Sequence, residues 1–166
     1  YFDGSDVGLS PLLENVDGFE ILPDGGVLIS TLGDGTTVPG LPGTYGNEDL
    51  LQCVGTFGPA TSCTWSVYFD GSDVALTTAG ENVDAAGVSG GGNIFLSTAG
   101  AFSVPGLSGA DEDVFICRTP TTGAATACAS FQMYFDGSAR GVPSDLDAID
   151  LPDNGPADED GVLGGG

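Results

Sequence analysis

The phrase Tyr-Phe-Asp-Gly-Ser begins at Tyr1, at Tyr68 and at Tyr134, a period of 67 and then 66 residues. A fixed period of this kind restricts the fold to copies of one supersecondary unit that bury one another's apolar faces. Further landmarks keep the register. Glu14-Asn15-Val16-Asp17 returns as Glu81-Asn82-Val83-Asp84, and Val27-Leu28-Ile29-Ser30-Thr31 as Ile94-Phe95-Leu96-Ser97-Thr98. Val38-Pro39-Gly40-Leu41 returns as Val104-Pro105-Gly106-Leu107, and Asn47-Glu48-Asp49 as Asp111-Glu112-Asp113. The chain divides into a first repeat over 1–67, a second over 68–133, and a partial third with an acidic, Gly-rich tail over 134–166.

Each repeat reads as four strands, which predicts an all-β fold of two four-stranded antiparallel units. In the first repeat the strands run Val16 to Leu22, Gly26 to Leu32, Asp49 to Val54 and Thr64 to Phe69. Pro23-Asp24-Gly25 supplies a hairpin turn between the first two, and Gly58-Pro59 lies between the last two. The fourth strand alternates, with Trp65, Val67 and Phe69 on one face and Thr64, Ser66 and Tyr68 on the other. The stretch 33–46 reads as a Gly/Pro/Thr loop. With 29 glycines and 10 prolines, many short elements are expected. The aromatics Trp65, Tyr68, Phe69, Phe95, Phe131, Tyr134 and Phe135 are expected in the core, with a sugar-binding platform as the alternative. An orphan strand is expected at each end. Tyr1 to Gly4 matches a strand that closes a unit, and Leu146 to Leu151 one that opens it.

Four cysteines fall into two local pairs, Cys53/Cys63 and Cys117/Cys128. Even count, short spacing and repetition read as a disulfide framework. Zinc is the competing reading, but it favours tighter Cys-x-x-Cys knuckles or histidines, and the chain has no His. Disulfides place the protein in an oxidising compartment, extracellular or at the cell surface. The chain lacks an initiator Met and opens inside a copy of the motif, so it is expected to be a processed product.

Twenty-four acids against two basic residues give a formal net charge of −22. That excludes nucleic acid as a partner, since no cationic surface exists to displace counterions. No apolar run is long enough to insert into a membrane as a helix. So large a charge opposes compaction and points to a compensating ion. The acids recur with the repeat: Asp3 and Asp6; Glu14 and Asp17; Asn47, Glu48 and Asp49; then Asp70 and Asp73; Glu81 and Asp84; Asp111, Glu112 and Asp113. Oxygen-rich loops of this composition suit calcium, the expected cofactor. The competing reading is that Asp and Asn here form turns. Catalysis is not expected, because there is no His for acid–base work and the cysteines are paired.

The stretch Val16 to Ser30, with weaker echoes at Val83 to Ser97 and Leu146 to Leu151, resembles a β-propeller blade. Tyr-Phe-Asp-Gly-Ser-Asp-Val-Gly-Leu at Tyr1 to Leu9 is similar to tandem repeats of large secreted bacterial proteins, a likeness that covers nearly the whole chain. Two blades cannot close a propeller, so a two-sheet sandwich of the same strands stays open as the alternative. The resemblance carries no assigned activity; the missing catalytic groups and the unpaired strand expected at each end point to a non-catalytic extracellular structural protein. It is expected to self-assemble head to tail by strand sharing into a filament or surface layer, stabilised by calcium. The alternative is an adhesin or binding module for a glycan or protein.

Overall fold

Apolar runs on both faces of the same strands produce a stack of sheets. The computed structural model describes residues 1–9 and 14–151, so the acidic tail from residue 152 on lies outside the described residues. In the first repeat, strands β1 (Val16–Ile21), β2 (Val27–Thr31), β5 (Leu50–Thr56) and β6 (Ser62–Phe69) form an antiparallel sheet in the order β1-β2-β5-β6. A small hairpin, β3 (Thr36–Val38) with β4 (Leu41–Tyr45), stands apart from it. The second repeat copies both parts. Strands β7 (Val83–Val88), β8 (Ile94–Thr98), β11 (Val114–Arg118) and β12 (Ser130–Phe135) make the sheet, and β9 (Phe102–Val104) with β10 (Leu107–Gly109) make the hairpin. The fold is therefore all-β, with two open four-stranded antiparallel sheets.

The hairpins are where the loop expected over 33–46 lies. Val-Pro-Gly-Leu turns the chain back on itself, and Gly40 and Gly106 take φ of +81° and +82°. Proline sets the first central residue of such a turn and glycine accepts the left-handed second one. Both ends of each turn are apolar, and Val38 and Val104 are buried.

Three apolar layers alternate with the two sheets. The middle layer joins Leu22, Leu28 and Leu50 of the first sheet to Ala86, Leu96 and Phe115 of the second. In front of the first sheet, Val27, Ile29, Leu51 and Trp65 are covered by Phe2, Val7 and Leu9 of the entering segment and by Val38 and Leu41 of the hairpin. Behind the second sheet, Phe95, Val114 and Ile116 meet Leu146, Ile149 and Leu151. All five residues of β2 and of β8 are buried, because each strand has a layer on both sides. The end segments expected as orphan strands carry no ladder; each lies against an outer face of its own chain.

One expected face is corrected by a bulge. Leu51 pairs with Val67 but Leu50 pairs with Phe69, so Tyr68 is an extra residue. The extra residue turns Phe69 away from Trp65 and into the middle layer, fully buried. Tyr134 makes the same bulge in β12. Of the other aromatics, Trp65 and Phe95 are buried, while Tyr68, Phe131, Tyr134 and Phe135 pack half-buried against the layers.

Both disulfides are formed, Cys53–Cys63 and Cys117–Cys128. The first pair is diagonal rather than facing, as Cys53 stands opposite Trp65 and Cys63 opposite Gly55. Each bond encloses a loop that grips the segment leading into its own layer. In the first loop, Gly58 N–H donates to the Tyr1 carbonyl (2.7 Å), Asp3 N–H to Thr61 Oγ1 (2.9 Å), and Thr61 N–H to Asp6 Oδ2 (2.9 Å). In the second, Gly123 N–H donates to Tyr68 O, Asp70 N–H to Thr126 Oγ1, and Thr126 N–H to Asp73 Oδ2, each at 2.8 Å. This clasp is what the Tyr-Phe-Asp-Gly-Ser-Asp phrase encodes. Thr126→Val should leave the Asp70 amide without an acceptor and cost about 1–3 kcal/mol, a fall of several degrees in melting temperature by circular dichroism. Thr126→Ser, which keeps the hydroxyl, should stay near the parent.

Candidate metal centre

Most of the recurring acids spend their oxygens on backbone amides. Asp3 accepts from Ser5 N–H and hydroxyl, and Asp70 from the Ser72 hydroxyl. Asp6 and Asp73 close the clasps already described. Glu81 accepts from the amides of Thr77, Thr78 and Ser103, at 2.8, 2.8 and 2.9 Å, and Glu14 from Thr37 N–H at 3.3 Å. Asp49 holds Gly46 and Gly71 N–H; Asp113 holds Ala110 and Gly137 N–H. The carbonyls and stems of Glu48 and Glu112 press on Gly71 and Gly137, where a Cβ would not fit. The carbonyl of Asn47 accepts from Val83 N–H (3.0 Å) and that of Asp111 from Leu146 N–H (3.2 Å), so each hangs the next repeat's opening segment on the sheet before it.

That second pair of bonds shows that residues 145–151 sit on the second sheet as β7 sits on the first. The two seams differ in the side chain that meets the aspartate of the underlying sheet. At the first, Asn82 Nδ2 donates to Asp17 Oδ2 at 2.8 Å. By repeat register Asp84 takes the place of Asp17, and Asp145 the place of Asn82. The amide donor has become a carboxylate. Asp147 joins them, and one carboxylate oxygen from each of Asp84, Asp145 and Asp147 lies within 4.8 Å of the others.

A bulge aims Asp84 into the seam. Val83 pairs with Thr98 and Ala85 with Ser97, so Asp84 is the extra residue of β7. It is 4 % exposed. Both of its carboxylate oxygens, and Asp145 Oδ1, are buried with no hydrogen-bond partner among the described residues, as is Asn82 Oδ1. Asp49, Glu81 and Asp113 are buried carboxylates too, at 7, 4 and 6 % exposed. Each of those three holds backbone amides, and Asp84 holds none. Burial, and after it the charge of Asp145, pushes the Asp84 carboxyl up to about 8. Burial raises Asp145 as well, and the charges of Asp147 and Asp111 add to it. Three carboxylates facing one another without a donor can share a proton or hold a hard cation.

Of these residues Asp84 was among the acids expected to bind metal, and Asp17 beside it makes the amide-paired seam. From sequence Asp147 falls within the strand expected over Leu146 to Leu151, and Asp145 lies just ahead of it with no role of its own. The signal available was the alignment of Asn15, Asn82 and Asp145, with an acid standing where two amides stand before it.

The raised carboxyls set a pH dependence. Burial holds Asp49 at about 6 and Asp84 at about 8, against about 3.9 for Asp in an unfolded chain. Between those limits the folded state binds more protons, so its stability rises as pH falls from about 8 toward about 4. With a chelator present, the melting temperature at pH 5.5 should exceed that at pH 8 by several degrees. A lower value at pH 5.5 would show that other groups dominate. No protein-family model matches the chain, and no curated protein or solved structure matches it.

Proposed function

We propose that the chain is a non-catalytic extracellular structural protein, one of the secreted bacterial tandem-repeat type, whose copies stack head to tail into a filament or surface layer. The observation that carries the reading is a difference between equivalent positions. Ala86 and Val88 on β7 pack into the middle layer against the first sheet, and Ala86 is 3 % exposed. Their counterparts one repeat earlier, Phe19 and Ile21 on β1, are 40 and 50 % exposed. Large apolar side chains are open where the internal joint covers small ones. A sheet surface from another copy would bury them, at about 25 cal/mol per Å². A contact between unlike faces does not close on itself in general and so extends. The two disulfides fit an oxidising compartment, and no helix among the described residues is long and apolar enough to cross a membrane.

A second reading, an adhesin or a module for a glycan, is favoured by one feature of the same front. A groove of about 800 Å³ runs between Phe2, Leu9, Val16 and Phe19, with Glu14 and Asp17 on its rim. Aromatic rings beside carboxylates suit a sugar. The two readings separate by experiment. Under head-to-tail stacking, sedimentation should show a concentration-dependent series of oligomers, and electron microscopy should show rods. Ile21→Glu should then hold the chain monomeric with an unchanged melting temperature. Parent protein that stays monomeric at every concentration would rule the stacking out and leave the groove as the functional front.

A further inference from the structure

We propose that Asp84, Asp145 and Asp147 form a calcium site that pins the opening segment of the third copy, residues 145–151, to the back of the second sheet. The geometry comes first. Oxygens from the three carboxylates lie within 4.8 Å of one another. Two oxygens bound to one calcium at about 2.3–2.6 Å stand at most about 5 Å apart. Asp84 rises from the buried strand β7, Asp145 reaches it from the covering segment, and Asp147 is exposed at the rim. Solvent can therefore complete the six to eight oxygens that calcium takes. An all-oxygen, all-anionic set selects a hard cation over zinc or copper.

The second argument is that Asp84 stands alone among the chain's described buried carboxylates. It is more than nine-tenths buried, and among the described residues neither oxygen has a donor, nor has Asp145 Oδ1 beside it. A buried acceptor left so is costly, and the other buried acids of this fold avoid that cost with two or three backbone amides each. Asp84, the extra residue of the β7 bulge, faces carboxylates instead. At the first seam an amide stands in the equivalent place, and Asn82 bonds to Asp17. Exchanging that amide for Asp145 removes a donor and adds a charge, a change that suits a cation between the two groups.

The equivalence supplies its own control. Asp145→Asn rebuilds at the second seam the pair seen at the first, so it should fold and lose only the cation. Full-length protein, stripped with EDTA and kept dilute enough to be monomeric, is titrated with calcium chloride by calorimetry, and its melting temperature is followed. The parent should bind calcium at this site and melt higher when loaded. Asp145→Asn should show no binding heat from the site, and its melting temperature should be independent of calcium and at or above that of the stripped parent. Asp147→Asn, at an exposed position, should still fold and weaken calcium at least tenfold. A parent that neither binds nor responds, an Asp145→Asn protein that responds as the parent does, or an Asp147→Asn protein of unchanged affinity would each overturn the proposal. The measurement is made within one chain, so failure of head-to-tail stacking leaves it intact.

Discussion

A sheet with apolar side chains on both faces has no side to offer to water, and every other feature of this molecule follows from that. Val27 and Ile29 point forward from β2 while Leu28 points back, and all three are 0 % exposed. Such a sheet needs cover in front and behind. The repeat meets the need in series: the second sheet covers the back of the first, and the same hairpin and entering segment cover the front of each. The period of the sequence is thus the period of a stack. Close approach at the joints explains some of its glycines. A Cβ on Gly18 would lie 3.3 Å from the Asp84 carbonyl, and one on Gly87 would lie 3.0 Å from Leu151 Cδ1.

The acidity has a structural use that a count of charges conceals. Tight turns between short strands leave backbone amides pointing inward, and buried amides need acceptors. Carboxylates accept more strongly than neutral groups and give no proton in return. Asp49, Asp73, Glu81 and Asp113 each fasten amides that no strand could reach. Many of the described acids are fastenings of this kind, and their charge is incidental to their position. Asp84 and Asp145 are different, because the same residue type meets itself there.

The strands were legible because period-two alternation and Pro-Asp-Gly turns are local signals, and β1, β2, β5 and β6 lie where those signals place them. The hairpin over Thr36 to Tyr45 leaves little trace in the sequence although Val38-Pro39-Gly40-Leu41 recurs as a landmark, since strands of three to five residues carry too little alternation to register. The bulges at Tyr68 and Asp84 leave no trace in local pattern. An extra residue is defined only against a partner strand, so strict alternation places Phe69 beside Trp65 while the bulge puts it on the opposite face. The seam acids were half-visible for the same reason. Asp84 stood in a recurring cluster, but its contact with Asp145 spans the joint between two repeats and depends on how one copy lies on another.

The clasp loops have a mechanical meaning. Each grips a preceding segment at Gly58 and Thr61, or at Gly123 and Thr126, inside a ring closed by Cys53–Cys63 or Cys117–Cys128. Tension entering along that segment is handed through three hydrogen bonds to a loop that cannot be drawn out, because a covalent bond ties its base. A pull along the chain would therefore meet a covalent tie at the start of each repeat, like a line knotted at regular intervals.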